Sequence, residues 1–591
     1  MTRTSTGPEL SLYVAAERTI VAASLASLPL EAGGILVGYR EGPRIVVTAA
    51  LTVDSGGSGT HHYRQDHQDA AEALRNHRST LHPEDISGYV GEWHSHPKPT
   101  GPSPTDRTTM RATLKKSAGN PIALIVCALD DEDHRLYGLI FRKGKFGRVS
   151  SASVSPQSSS TDALASPGPL PDGAVNPDGP LFVSYRQSDG TDRSSQMAWL
   201  LRAAGFKVWH DRTDLRAGNT NERLERALTG GLSGAMLLVT KAIEKSWVVK
   251  NVELPRLLQL DEVTDFTLTI ANEIANPLDA SRPDFSAPDR LLERAPKTLG
   301  DKKQSNSRTV DGRLEIVHDH LADHISRRAD DLADGILVVD VQTRPESTAQ
   351  PSRAADLHIR LRPPVDGRLP HGDGLKDFAL TLPLVSDAIH HSRARTIRIQ
   401  GGMHLTVALA LGMALPDTKF GHAEIEDVRG TLWSNDPVAV PNERQLIEKD
   451  YPSLNSVSVG TATKVYVAVA LQQPSSEGAF VRAVAEDGDV SAAVQLSLSG
   501  AGFIDAAEGA RLAELLAAKI KQLSADYDNA DVHLFFHGPV TMAFLVGRLL
   551  NTLNVIAYEW DQTGFGAPAR YVASMSLSAG GAGGPVAAVH L

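Results

Sequence analysis

A single cysteine, Cys127, stands in a chain of 591 residues. One thiol cannot build an internal disulfide framework, and such sparing use of cysteine fits a reducing compartment. Long apolar runs are also missing. None approaches about eighteen residues, so no transmembrane helix and no membrane partner are expected. The opening MTRTSTGPEL has no apolar signal-peptide core. Positive charge is not in excess: 59 Lys and Arg face 70 Asp and Glu, for a net charge of −11. That argues against a bulk binder of long nucleic acid and leaves room for a local basic pocket. A cytoplasmic protein is the expectation, and abundant Ala, Gly and Arg suggest a GC-rich bacterial source. What is present is a 41% hydrophobic share, enough for real cores, in a length that suggests several domains.

Tyr13–Leu28 reads as a helix, followed by EAGGILVGY, a carboxylate entering an apolar strand, and by the strand Arg44–Thr48. After the loop DSGGSGTHHY comes GEWHSHPKPTGPSPTD, residues 91–106. His94 and His96 alternate along a strand, so both imidazoles point the same way, and Asp106 returns from a Pro-rich loop. Two histidines and a carboxylate leave a fourth tetrahedral position open, the arrangement of a catalytic zinc site. His61, His62 and His67 read as solvated loop residues. The set Glu31, His94, His96, Ser103 and Asp106 resembles the JAMM (JAB/MPN) metalloprotease signature. The resemblance implies Zn2+ held by His94, His96 and Asp106, Glu31 as proton acceptor, and Ser103 as oxyanion stabiliser. It also implies peptide or ubiquitin-like conjugate substrates. Six residues separate His96 from Ser103, one fewer than in many relatives. Ser150–Pro180 is rich in Ser, Pro, Gly and Asp and reads as a flexible tether.

Residues 181–260 alternate strand and helix. Leu181–Tyr185 is an apolar run; Met197, Leu200, Leu201 and Ala204 fall on one helical face that ends at Gly205. Phe206–His210 is a second strand, Asp211–Asn219 a polar loop, and Thr220 an N-cap for a helix carrying Leu224, Ala227 and Leu228. Ala235–Val239 is apolar on both faces, as a central parallel strand should be. This is a flavodoxin-like series. FVSYR, VWHD, DLRAG, LLVT and SWVVKNVE, in this order, resemble a TIR domain. The resemblance implies NAD+ as substrate, bound by Ser184, Tyr185, Arg186 and Asp211, with Glu253 as the catalytic glutamate. Glu253 follows Trp247 by six residues, a longer interval than in many TIR domains, and Glu244 is the fallback. Pro255, with no N–H, should break or restart the helix near Glu253. Asn272–Asp311 is polar and Pro-rich; a charged helix over about 314–332 leads to the apolar strand Ile336–Val341.

The last third contains a repeat. RTIRIQGGMHLTVALALGMALP (395–416) and DVHLFFHGPVTMAFLVGRLL (531–550) are each a strand, a Gly-containing turn and an apolar helix. Pairing Thr406 with Thr541 also pairs Ala408 with Ala543, Gly412 with Gly547 and Glu424 with Glu559. The small residues should let each helix lie close on its sheet. Two similar halves create one concave site at their strand ends, where Gly401, Gly402, His404, His537 and Gly538 are candidate contacts for a phosphodiester. The Arg393, Arg395 and Arg398 cluster could add charge, and the Gly/Ala-rich tail SAGGAGGPVAAVHL reads as mobile. FFHGPVTMAFLVGRLLN followed by AYEW resembles a SAVED domain, two fused CARF-like (Rossmann-like) halves that sense cyclic oligonucleotides in CBASS antiphage systems.

The expected architecture is therefore α/β and multidomain. Residues 1–150 form a JAMM-like α/β zinc domain, 151–179 a linker, 180–272 a TIR domain with a parallel sheet, 273–333 a linker and helix, and 334–591 a SAVED domain. The expected circuit has a cyclic oligonucleotide, most simply a cyclic trinucleotide from a partner nucleotidyltransferase (CD-NTase), driving self-association into an oligomer or filament. That association activates NAD+ hydrolysis to nicotinamide and ADP-ribose products. The alternative makes the TIR and SAVED parts sensing and assembly modules, with the zinc peptidase as output.

Overall fold

The computed structural model describes residues 9–41, 44–53, 67–80, 87–117, 120–130, 133–143, 148–157, 168–210, 220–329, 332–344, 354–364, 368–439, 444–456, 463–472, 477–487, 489–500, 502–561, 569–578 and 583–591. The chain divides into two compact units, Met1–Gly168 and Pro169–Leu591. Among the described residues no helix is long and apolar enough to cross a membrane.

In the first unit seven strands close a barrel: β1 (Glu9–Tyr13), β2 (Gly33–Glu41), β3 (Arg44–Thr52), β4 (Gly88–His96), β5 (Ile122–Asp130), β6 (Asp133–Arg142) and β7 (Arg148–Gln157). The order is β1-β3-β2-β4-β5-β6-β7, and parallel pairing of β1 with β7 closes it. Helix α1 (Val14–Ala26) buries Ala16 and Ile20 in a core with Leu36, Val47, Trp93 and Ile125. Helix α2 (His67–Thr80) begins at His67, which is helical rather than in a loop, and exposed; His61 and His62 lie outside the described residues. Helix α3 (Pro104–Lys116) packs Met110 and Leu114 with Leu124, Val126 and Leu139. The expected tether is shorter than its composition suggested. β7 runs through the Ser-rich stretch to Gln157, because backbone ladders to β6 and β1 need no apolar side chains.

The second unit contains three sheets built alike. The first comprises β8 (Leu181–Ser184), β9 (Val208–Trp209), β10 (Gly234–Val239), β11 (Thr267–Asn272) and β12 (Gln304–Asn306), in the order β12-β11-β10-β8-β9. Counted from β8 this is 2-1-3-4-5, the doubly wound flavodoxin-like order. Its helices are α4 (Gln187–Ala203), α5 (Thr220–Thr229), α6 (Leu254–Leu260) and the short α7 (Ala287–Leu291). Thr220 is the first helical residue of α5 rather than its cap. Residues 169–180 and the stretch from 273 to the expected helix belong to this body rather than linking it, and the expected helix is present. Ala174 joins the core of Leu228 and Leu257, β12 extends the sheet, and α8 (Val310–Ala329) buries Ile316, Val317, Leu321 and Ile325 in a core shared with Val183, Leu201, Leu337 and Leu357. The apolar face of α4 therefore looks towards the following sheet, where Trp199 stacks under Arg362.

The second sheet is β14-β13-β15-β16-β17, from β13 (Ile336–Gln342), β14 (Leu357–Arg360), β15 (Thr396–Gln400), β16 (His422–Glu426) and β17 (Leu432–Ser434). The third is β18-β20-β19-β21-β22-β23-β24, from β18 (Leu446–Asp450), β19 (Lys464–Ala470), β20 (Ala492–Leu498), β21 (Asp531–His537), β22 (Val555–Asp561), β23 (Arg570–Leu577) and β24 (Val586–Val589). Each repeats the 2-1-3-4-5 order, from β13 and from β19. Helices α9 (Gly372–His391), α10 (Leu405–Ala414), α11 (Glu477–Asp487), α12 (Gly509–Asp526) and α13 (Val540–Leu549) complete the two halves. β24 pairs with β23, so the described end of the Gly/Ala-rich tail is an ordered strand.

The repeat glycines do not lie on the sheets. A Cβ on Gly412 would sit 2.3 Å from the carbonyl oxygen of Phe544, and one on Gly547 would sit 2.4 Å from that of Leu409. The two repeated helices, α10 and α13, therefore pack backbone to backbone on each other. Arg548, fully buried, pins the pair by donating from Nη2 to the carbonyls of Phe420 and Gly421 at 2.5 and 2.9 Å.

Candidate functional sites

In the first unit the period-two alternation of β4 turns His94 and His96 towards α3. Ser103 caps α3: its Oγ accepts from the N–H of Asp106 at 3.2 Å, and its own N–H donates to Asp106 Oδ2 at 2.6 Å. Asp106 is thus the third residue of a capping box, fixed in the first helical turn rather than carried on a loop. It lies 3.4 Å from His94 Nε2 and 3.7 Å from His96 Nε2, and the two Nε2 atoms are 3.2 Å apart. His96 Nδ1 faces the Thr100 carbonyl at 2.7 Å, so Nδ1 carries the proton and Nε2 a lone pair. Ring lone pairs and carboxylate oxygens converge, all within 4.8 Å of one another. Burial by itself would raise the Asp106 carboxyl, but hydrogen bonding and charge from His94 and bonds from Ser103 outweigh it and pull the group down to about 2. The donor set fits a zinc ion, and the Thr100 carbonyl holds the far nitrogen of His96 as metal-binding histidines require. Register carries Glu31 towards the same end of β4. Gly33 pairs with His94, and Ala32 and Ser95 exchange bonds of 2.8 and 2.7 Å, so the buried Glu31 lies opposite His96.

In the second unit Ser184 ends β8 at the switch point between β8 and β10, where the order 2-1-3 reverses direction and ligands bind in such folds. Its Oγ donates to Glu253 Oε2 at 2.5 Å, and both residues are buried. Glu253 ends a π-helical turn, Val249–Glu253, that continues into α6. Of the break or restart expected at Pro255, the structure shows the restart: the register changes from π to α at Leu254, and proline is tolerated in the first turn of the α-helix that follows. Tyr185 is buried and stacked on His210, 5.1 Å away and 3° from parallel, while Ser194 Oγ bonds His210 Nε2 at 3.1 Å. Arg186 lies 3.6 Å from Asp189, which accepts from the Ala242 N–H. Asp211 lies outside the described residues. Glu244 sits in a short 3-10 turn, Ile243–Lys245, and is half-buried.

The glycine turns follow β15 and β21, again at switch points. Gly401 has φ 103°, and a Cβ there would meet the Val341 carbonyl at 2.5 Å. The Gly402 N–H is taken by Gln342 Oε1 at 2.8 Å. His404 is fully buried with both ring nitrogens engaged, by Thr343 Oγ1 at 2.7 Å and the Arg368 carbonyl at 3.0 Å. Burial, then the charge of Arg344, pushes it down to about 4, so it is a neutral structural residue with no nitrogen left for a ligand. His537 is half-buried beside Trp560, with ring centroids 5.9 Å apart, and Gly538 packs against Leu471. The arginine cluster does not join these turns. Arg393 and Arg395 precede β15, at its far end, and Arg398 pairs with Glu424 at 2.7 Å. The repeated acids have diverged: Glu559 reaches across to the N-terminus of α10 and accepts from Thr406 N–H at 2.9 Å and Oγ1 at 2.7 Å.

Each unit is α/β, and the second is doubly wound three times over, with candidate sites at strand ends. A family model for prokaryotic homologues of the JAB domain matches residues 14–137, one for the TIR domain matches 181–271, and one for the SMODS-associated sensor domain fused to various effectors (SAVED) matches 380–577. The chain is a fusion of JAB, TIR and SAVED domains in that order. A curated relative, the NAD(+) hydrolase PdTIR of Paracoccus denitrificans, is 32% identical over 113 residues, 16% of this chain; the match spans 37% of the relative's own length. Among solved structures, protein DSY2949 of Desulfitobacterium hafniense is 19% identical and covers 25% of this chain and 93% of its own, with a TM-score of 0.21. The Cap4 SAVED/CARF-domain receptor of Acinetobacter baumannii, with the cyclic trinucleotide 3'3'3'-cAAA, is 14% identical and covers 66% and 97%, with a TM-score of 0.33.

Proposed function

We propose that this protein is an antiphage effector in which a cyclic oligonucleotide, most simply a cyclic trinucleotide from a partner CD-NTase, binds the SAVED domain, drives self-association and activates NAD+ hydrolysis by the TIR domain. The observation that carries the reading is the buried Glu253 carboxylate held by Ser184 at the switch point of the TIR sheet. The chain's 32% identity to an NAD+ hydrolase over this region supports it. The bond from C1′ of the ribose to the nicotinamide nitrogen breaks with its electron pair going to the ring, so the leaving group departs neutral and needs no acid. Water adds to C1′ and loses a proton, giving ADP-ribose. Glu253 stabilises the cationic sugar and holds the ribose, as a carboxylate does in glycoside cleavage. Incubating the protein with NAD+ and a panel of cyclic di- and trinucleotides, with nicotinamide release and particle size read together, tests this. Release that needs no Glu253, or no release with any of them at any protein concentration, removes it.

The converging acceptors of His94, His96 and Asp106 favour a second activity, a zinc peptidase or isopeptidase in the JAB domain. A zinc ion held there would supply Lewis-acid activation of water and carbonyl. Glu31 takes the proton of the attacking water and passes it to the leaving amine, and the Ser103 hydroxyl donates to the oxyanion. Should Glu253→Gln still protect cells while His94→Ala does not, the peptidase is the main output and the TIR and SAVED domains serve assembly and sensing.

A further inference from the structure

The turn that carries Glu253 contains a carbonyl satisfied from outside the TIR match. In the π turn Val249–Glu253 the N–H of Leu254 donates to the carbonyl of Val249. In the same register the next carbonyl, that of Lys250, would take the N–H of residue 255. Residue 255 is proline and has none. The guanidinium of Arg294 fills the gap, with Nη2 donating to the Lys250 carbonyl. Arg294 lies well past residue 271, where the TIR match ends.

Its placement is built by the surrounding loop. Glu293 turns the chain with a left-handed φ of 55° and holds Lys250 Nζ at 2.5 Å, so Lys250 is gripped at both its ammonium and its carbonyl. The Arg294 N–H bonds the Asp289 carbonyl at 2.9 Å. Buried Asp289 accepts three more backbone N–H groups, from Lys297, Leu299 and Gly300, at 2.8, 2.7 and 3.0 Å. Leu292 and Leu299 pack with Val249 and Leu254 in one apolar cluster. A rigid loop therefore presents the one donor that the π turn lacks.

We infer that Arg294 is a positioning residue for Glu253: it completes the hydrogen bonding of a π turn that Pro255 leaves open, and so fixes the register that brings the carboxylate to Ser184. This rests on the reading of Glu253 as the catalytic carboxylate of NAD+ cleavage. The geometry explains the long interval between Trp247 and Glu253. If the turn relaxes to ordinary α-helix, later residues advance by one position, and Glu253 swings about 100° around the helix axis, away from Ser184.

The test uses the full chain with Arg294→Met, Arg294→Lys and the double variant Pro255→Ala/Arg294→Met. Hydrogen exchange of peptides spanning 246–260 needs no activator. NAD+ cleavage is measured in parallel with a cyclic triadenylate as the probe. Arg294→Met should speed exchange there about tenfold or more and lower kcat about ten- to hundredfold with KM little changed, as a misplaced catalytic group does. Arg294→Lys, which keeps a donor, should recover most of both. Restoring an N–H at 255 should recover protection in the double variant. Unchanged exchange in Arg294→Met overturns the proposal, and so does faster exchange with wild-type kcat. A wild-type chain that releases no nicotinamide sinks the NAD+ reading itself and takes the positioning role with it, whatever the exchange shows.

Discussion

Removing the Ser184 hydroxyl separates the role that the sequence suggested, substrate contact, from the one that the fold adds, orientation of Glu253. Its Oγ lies 2.5 Å from Glu253 Oε2, and both side chains are shielded from water. A buried hydrogen bond to a charged group contributes about 1.5–3 kcal/mol. If all of that holds the carboxylate in its reactive position, Ser184→Ala slows kcat by about ten- to 150-fold. KM for NAD+ should move less than about threefold, because uniform binding is untouched. The variant should add nothing to Glu253→Gln, since the two residues act as one unit. Steady-state nicotinamide release, fitted for kcat and KM separately in all four combinations of the two substitutions, decides it. A raised KM with wild-type kcat would refute the reasoning and return Ser184 to the role of a substrate contact.

Three further outcomes follow from the geometry. His94→Ala or Asp106→Asn should abolish binding of one zinc ion per chain, read by elemental analysis of the purified protein, whereas Ser103→Ala should keep the metal while losing the cap, about 1 kcal/mol, and the oxyanion contact. Gly547→Ala puts a methyl 2.4 Å from the Leu409 carbonyl oxygen. Overpacking of this kind costs about 1–3 kcal/mol, so the midpoint of denaturant unfolding of the second unit should fall. His404, held near 4 by burial and by Arg344, and His320, held near 3 by burial, are below the ordinary 6.5. An unfolded chain binds those protons first, so each contributes stability that is full above pH 6.5 and lost as pH falls towards the folded value. Within that window each should give a slope of about 1.4 kcal/mol per pH unit, and His404→Gln should flatten the curve by one such slope.

The zinc candidates were legible in one dimension because their spacing is local. Alternation turns His94 and His96 the same way in any strand, and Ser103 with Asp106 three residues on is the written signature of a capping box, a signal that would have placed Asp106 in a helix. The order of the TIR motifs gave the doubly wound sheet, and the repeat gave the paired halves. Other features depended on partners far away in the chain. Gly412 and Gly547 announced close packing, but only the fold shows that each faces the other's helix. His404 looked like a ligand contact until Thr343 and Arg368 were found on its two nitrogens. The charged helix expected over about 314–332 is α8. The polar stretch before it read as linker because its hydrophobic residues are sparse, yet it supplies β12 and Arg294.

Residue order alone therefore determined the α/β class, the doubly wound character of the sheets in the second unit, and which residues are candidates for the metal and for the catalytic glutamate. These depend on periodicity and on neighbours a few positions apart. Tertiary structure alone decided which groups remain free to act, because hydrogen-bond saturation is settled by whatever arrives from elsewhere in the chain. A carbonyl stranded by a proline is open or closed according to a guanidinium some forty residues away.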